Sequence, residues 1–192
     1  MWALVEDNNI TKIFNRPKAF RLGDNQYSSS VFTLWSIEEK EAIGLYEVVI
    51  DNTNLKDEKY YINGSESFTF ADGVATKSFA IATAKTLDDV TDEDGNITRG
   101  LKYNHKEVIN QQAAGLLQPT DWYVLRATDG GTAVPANIST YRSSIRTKAN
   151  EMCDLIDAAA DVDALSDLYE YTNTGTEESP IFTRPLGEWP IL

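Results

Sequence analysis

Two side chains of this 192-residue sequence could carry proton-transfer or nucleophilic chemistry, the single histidine, His105, and the single cysteine, Cys153. A catalytic imidazole needs a second titratable group held against it in a cleft. His105 instead falls on the apolar side of a helical pattern beside Tyr103 and Lys106, where a hydrogen-bonded, partly buried histidine is expected. A reactive thiolate needs a neighbouring cation, whereas Cys153 follows Met152 on an apolar stripe and lies between Glu151 and Asp154, acids that raise a thiol pKa. Asp129-Gly130-Gly131-Thr132 lacks the spacing and the lysine of a phosphate loop and reads as a helix stop. The acidic run from Asp88 to Asn96 fails as a calcium loop. With Asp94-Gly95 at its fifth and sixth positions, Val90 comes first and Leu101 last, where carboxylates are required. The residues therefore offer no catalytic set, no metal site and no cofactor, and the expectation is a protein that is not an enzyme.

The charge balance narrows the partners. Thirty acids against 17 bases leave a net charge of −13, a field that repels phosphate and argues against nucleic acid or a polybasic membrane surface. A content of 42% hydrophobic and 10% aromatic residues is enough for a packed core. Apolar runs such as Val48 to Ile50 and Phe79 to Ala82 are far shorter than the roughly 20 residues of a membrane span. Met-Trp-Ala-Leu-Val-Glu at the start has no basic flank and no long apolar stretch, so no membrane insertion and no signal-directed export are expected.

The elements that would position any site change character along the chain. Trp2 to Val5 and Ile10 to Phe14 flank Asp7-Asn8-Asn9 and predict a hairpin. Ser36-Ile-Glu-Glu39 has capping-box spacing, so a short helix should run from Ser36 to Gly44, with Leu45 to Ile50 returning to strand. Tyr60 to Ile62, Phe68 to Phe70 and Phe79 to Ile81, separated by Asn63-Gly64 and Asp72-Gly73, predict an antiparallel meander. Beyond the acidic run the apolar period becomes 3.6. A first helix on Leu101, His105, Val108, Ile109, Gln112 and Leu116 ends before Pro119, and a short second one is N-capped by Thr120 and closed by Gly130-Gly131. A long third helix after Pro135 carries the stripe Ile138, Tyr141, Ile145, Ala149, Met152, Leu155, Ile156 and Ala159, and a fourth follows an Asp161 cap. The reading is an α+β chain: a β-rich N-terminal part with a short helix over 1–87, an acidic linker over 88–98, a helical hairpin or bundle over 99–171 and an extended tail over 172–192.

Arg142 and Arg146 sit one turn apart near the start of the long helix, where like charge and the helix dipole both oppose them. They require acidic neighbours, either Asp121, Asp129 or the fourth helix within the chain, or carboxylates of a partner. Trp122, with Tyr123 next to it in the sequence, should anchor the short helix between the first and third helices. Phe182 and Trp189 lie in a segment too proline-rich to make its own core, so they must dock on the body or on another protein. These six residues are the candidate partner-binding set.

Leu116-Leu-Gln-Pro-Thr-Asp-Trp122-Tyr-Val-Leu-Arg126, then Gly131, Val134-Pro135 and Ile138-Ser-Thr-Tyr141-Arg142-Ser-Ser-Ile145-Arg146, resembles the pattern of tail-fibre assembly proteins of tailed bacteriophages. Trp35 to Val49 is similar to the opening segment of tail-fibre-associated proteins, and the build including Arg184-Pro-Leu-Gly-Glu-Trp-Pro190 is similar to virion proteins of marine cyanobacterial phages. The resemblance implies a non-enzymatic protein, made in the host cytoplasm, that binds a phage tail or tail-fibre protein or its own copies. The inserted meander and acidic segment favour a virion (tail) structural component over the alternative, a transient assembly chaperone absent from the finished particle.

Overall fold

A computed structural model describes residues 1–192. The fold is mixed α+β and divides into two compact units, Met1–Thr83 and Ala84–Leu192. In chain order the first unit holds β1 (Trp2–Glu6), β2 (Asn9–Phe14), β3 (Phe20–Leu22), β4 (Asn25–Tyr27), α1 (Val31–Leu34), α2 (Ile37–Glu41), β5 (Leu45–Ile50), β6 (Tyr61–Ile62), β7 (Glu66–Ala71) and β8 (Val74–Phe79). The two-residue β9 (Thr83–Ala84) falls at the junction. The second unit holds β10 (Val90–Thr91), β11 (Ile97–Thr98), α3 (Leu101–Leu117), a 3₁₀ turn (Gln118–Thr120), α4 (Asp121–Thr128), α5 (Ala136–Ala158), α6 (Val162–Asp167), β12 (Thr172–Asn173) and β13 (Phe182–Thr183).

In the first unit β1 and β2 form the expected hairpin, with Asp7 and Asn8 at φ 50° and 62°, the left-handed pair that matches strand twist. Alternation then sorts side chains to two faces. Leu4, Phe14 and Leu45 pack with Phe20, Val31 and Phe32, and Ala3, Val5, Val48 and Ala75 make a second cluster. A bulge between Leu4 and Val5 leaves Thr11 unpaired in register, which lets Ile10 and Ile13 both join the second cluster. The sheet order is β2-β1-β5-β8-β7, and edge strands β2 and β7 touch, so the sheet is curled. The Ser36–Glu39 capping box is present in both directions. Gly44 reverses the chain at φ 76°, where a Cβ would run into the Val5 carbonyl.

The meander is corrected. Asp72-Gly73 makes the β7–β8 hairpin, but β8 pairs parallel to β5, and β6 lies outside the five-stranded sheet. Asn63 spends its side-chain amide bracketing the backbone N–H and C=O of Lys56, at 2.9 and 3.0 Å, so Asn63-Gly64 is not a hairpin turn. The β3–β4 hairpin and α1, which cover one sheet face, were not expected from the sequence.

In the second unit the acidic stretch over 88–98 is a hairpin, β10–β11, and not a linker. The Asp92 carboxylate organises its turn by accepting the Asp94 and Asn96 backbone N–H groups and the Asn96 amide. Asp89 accepts the Gly100 N–H at 2.8 Å and pairs with Arg99 at 2.6 Å. The Leu101 and Lys102 N–H groups reach the Thr86 and Leu87 carbonyls at 3.0 Å. The opening N–H groups of α3 are thus satisfied from the preceding segment. α3 packs on α5 through Leu101, Ile109 and Ala113 against a stripe of Ile138, Ile145, Ala149, Met152 and Ile156. Tyr141 is half-buried and Leu155 exposed, while Arg142 takes an inward place. Asp161 caps α6 through the Ala164 N–H. The tail is not simply extended: β12 and β13 pair, Asn173 accepts the N–H groups of Gly175 and Ile181, and Leu186 is fully buried with its N–H on the Leu168 carbonyl.

Candidate protein-docking site

The site begins where α3 stops. Pro119 cannot continue the helix's hydrogen bonding, the chain tightens into one 3₁₀ turn, and Thr120 becomes buried. Thr120 does not cap α4 as expected; its hydroxyl donates to the Leu117 carbonyl at 2.7 Å. Arg142 of α5 reaches the same place. It donates to the Leu117 carbonyl at 2.9 Å and to Thr120 Oγ1 at 2.6 Å, and pairs with Asp121 at 2.8 Å. The Leu117 carbonyl belongs to the negative end of α3, so the guanidinium offsets its unfavourable position near the start of α5 by serving the end of another helix. Of the two readings for Arg142, the internal one holds, and as a partner-binding residue it is corrected: it is buried, and its Nη1 is spent on Leu117, Thr120 and Asp121. Arg146 is exposed, with one long hydrogen bond of 3.4 Å to the Arg142 carbonyl.

On this bracketed base stands α4, none of whose residues is buried. Trp122, expected as a core anchor, is 49% exposed, and Leu125 is 69% exposed. The buried side chains at this junction are instead Arg142 and Thr120, hydrogen-bonded to each other and to the Leu117 carbonyl. Trp122 and Tyr123 have ring centroids 4.0 Å apart, and the Arg126 guanidinium lies 4.7 Å over Trp122 and 5.5 Å over Tyr123. Spacings of four and three residues on a helix put these groups on one face, and a guanidinium over an aromatic face is attractive. Arg126 and Leu125 belong to the surface although the sequence reading singled out neither; the Trp-Tyr-x-x-Arg spacing was the signal. Gly130 closes the helix at φ 80°, and the Gly131 N–H reaches the Arg126 carbonyl at 2.9 Å.

The remaining candidates lie elsewhere in the unit. Phe182 on β13 is 61% exposed. Trp189 is half-buried, its indole N–H donating to Gln112 Oε1 at 3.1 Å. His105 is buried and shares a 2.5 Å hydrogen bond with the Tyr169 hydroxyl. Burial pushes the Cys153 thiol up, against the pull of Lys106 and with the help of Asp157 and Asp154. Lys106 is itself held above its ordinary value, chiefly by its hydrogen bond to Asp157 at 2.7 Å. No three His, Cys, Asp or Glu side chains converge as metal ligands, and no helix is long and apolar enough to cross a membrane.

What fold and site define together is a class: a mixed α+β protein that displays an aromatic and arginine helix on a rigid hydrogen-bonded base. No protein-family model, curated protein or solved structure matches the chain.

Proposed function

We propose that the protein is a non-enzymatic structural component of a bacteriophage tail, retained in the virion and attached through α4 to a tail or tail-fibre protein. The observation that carries the reading is α4 itself: a helix with no buried residue, presenting Trp122, Val124 and Leu125 to solvent beside a stacked arginine. Tryptophan, tyrosine and arginine are the residues that dominate binding energy at protein interfaces. The resemblance to tail-fibre assembly proteins supports the choice of partner, because its Thr-Asp-Trp and Tyr-Arg blocks supply the bracket of Thr120, Asp121 and Arg142 and the indole displayed beyond it. A bracket that orders α4 before contact lowers the entropy lost on docking.

The test has two parts. Mass spectrometry of purified virions should find the chain at a fixed stoichiometry to tail proteins; its absence from particles overturns retention. Trp122→Ala and Leu125→Asp should each weaken co-purification with the tail or fibre protein by at least about tenfold, a loss of roughly 1.4 kcal/mol, with the melting temperature within about 2 °C of the parent because neither side chain is core. Undiminished co-purification overturns attachment through α4.

A further inference from the structure

Where the tail returns along α3 it leaves an open cavity of about 360 Å³, lined by Gln112, Gly115, Leu116, Arg184, Gly187 and Trp189. That volume lies in the range of small-ligand sites, roughly 300–1,000 Å³. The walls are fixed from behind: Leu186 is fully buried, and the Trp189 indole is tied to Gln112. The floor holds a charge. The Arg184 guanidinium lies 4.8 Å over the Tyr171 ring and rests against Gly187, where φ is 90° and a Cβ would come within 2.6 Å of an Arg184 nitrogen. Arg21, Arg99 and Arg142 each have an aspartate. Arg184 has no carboxylate within ion-pair distance, in a chain with thirty acids, and its Nε, like that of Arg126, is buried without an acceptor; of the two, only Arg184 lines this cavity. The Nε is closed off, but the guanidinium also lines the open cavity, where an acceptor from outside would supply the carboxylate that the chain does not.

We infer that this cavity binds a carboxylate carried on an apolar body, with the carboxylate on Arg184 and the body against Trp189 and Leu116. A planar guanidinium matches a carboxylate with two parallel hydrogen bonds. A phosphate dianion fits less well, since Arg184 is the one cation in the lining and the chain's net charge of −13 repels the second negative charge. The apolar body follows from the rest of the wall, an indole, a leucine and two glycines that leave room. The same chemistry is presented by a free aromatic acid and by the C-terminal residue of a polypeptide. The site stands on residues other than those of α4 and does not depend on the attachment role.

The experiment uses the full chain and isothermal titration with four probes: 2-naphthoate, its uncharged amide 2-naphthamide, N-acetyl-Ala-Ala-Phe as the free acid, and inorganic phosphate. At least one of the two acids should bind saturably with Kd at or below about 1 mM. Naphthamide and the Arg184→Gln variant should each weaken binding by about tenfold or more, and phosphate should not displace the acids. Tighter binding of the peptide assigns the source to a polypeptide terminus, tighter binding of naphthoate to a small molecule, and both support the site. Gly115→Leu keeps the test decisive if Arg184→Gln fails to fold. Nothing lies within 4 Å of a Cβ at Gly115, so leucine enters the cavity on a helix that it favours, and binding should vanish with the circular dichroism spectrum unchanged. Equal binding of naphthoate and naphthamide, binding undiminished by either substitution, or no saturable binding of either acid overturns the inference.

Discussion

Replacing Arg142 with methionine removes the bracket and keeps an apolar stem of similar length in its place. Three interactions are lost, with the Leu117 carbonyl, Thr120 Oγ1 and the Asp121 carboxylate. They are not equal. The Leu117 carbonyl keeps the Thr120 hydroxyl as a donor, so it is not orphaned, and the loss there is that of one charge-assisted hydrogen bond, about 1.5 kcal/mol at the lower end of such bonds. Thr120 Oγ1 still donates, and loses a donor that it accepted, a net effect of about 0.5–1 kcal/mol. Asp121 is half in solvent and regains water, so its ion pair contributes at most about 1 kcal/mol. The sum is about 2–3.5 kcal/mol. For the second unit, of about 110 residues, roughly 4 °C per kcal/mol gives a fall in melting temperature of about 8–14 °C. Urea unfolding followed by far-ultraviolet circular dichroism measures it, with Asp121→Asn as the comparison, which should lose no more than about 1 kcal/mol. If Arg142→Met lost less than about 0.5 kcal/mol, or if Asp121→Asn lost as much as Arg142→Met, the account of α4 as a helix held by a buried arginine would be refuted.

Three further outcomes are expected. Leu186→Ala should destabilise the second unit by about 2–5 kcal/mol, because Leu186 is fully buried, while Ile191→Ser, at an exposed site, should change stability by less than about 0.5 kcal/mol; equal effects in thermal melts would show that the tail does not pack on its unit. Asp89 is held below the ordinary aspartate value first by the Gly100 N–H and then by Arg99, so the ionised form favours the folded state. Its contribution is complete above the unfolded value of about 3.9 and is lost as pH falls through the folded value. Protection factors for hydrogen exchange at the first turn of α3 should therefore fall over that range, and Asp89→Asn should remove this part of the pH dependence; an unchanged profile in the variant would count against the cap. Gly44→Ala should destabilise the first unit by more than about 2 kcal/mol, since alanine would be held at positive φ with its methyl against the Val5 carbonyl, and near-parental chemical denaturation would contradict the tight turn.

Features with a local physical cause were legible in the sequence. The Asp7-Asn8 hairpin, the Ser36 capping box, the Asp161 cap, the stop at Gly130 and the apolar stripes of α3 and α5 each rest on residues within a turn or two of one another. The mixed α+β character follows from the change of apolar period, which is a property of the order of residues. Partners far apart in the chain were decided by the tertiary structure alone. Phe79 to Ile81 reads as the third strand of a meander, but the strand is β8, which ends at Phe79, and a parallel ladder with β5 satisfies its backbone on a curled sheet. The acids of 88–98 look like solvated charge until Asp89 and Asp92 are seen to bind N–H groups of the turn and of the start of α3. Trp122 is the residue type expected in a core, yet the buried side chain at this junction is Arg142, twenty residues away, and the indole lies half in solvent. Arg184 is one more base in the sequence; the return of the tail brings it against Tyr171 and into a cavity with Trp189, and leaves it without an acid. Hydrogen-bond satisfaction and close packing are settled among neighbours in space, and the order of residues names those neighbours only when they are also close along the chain.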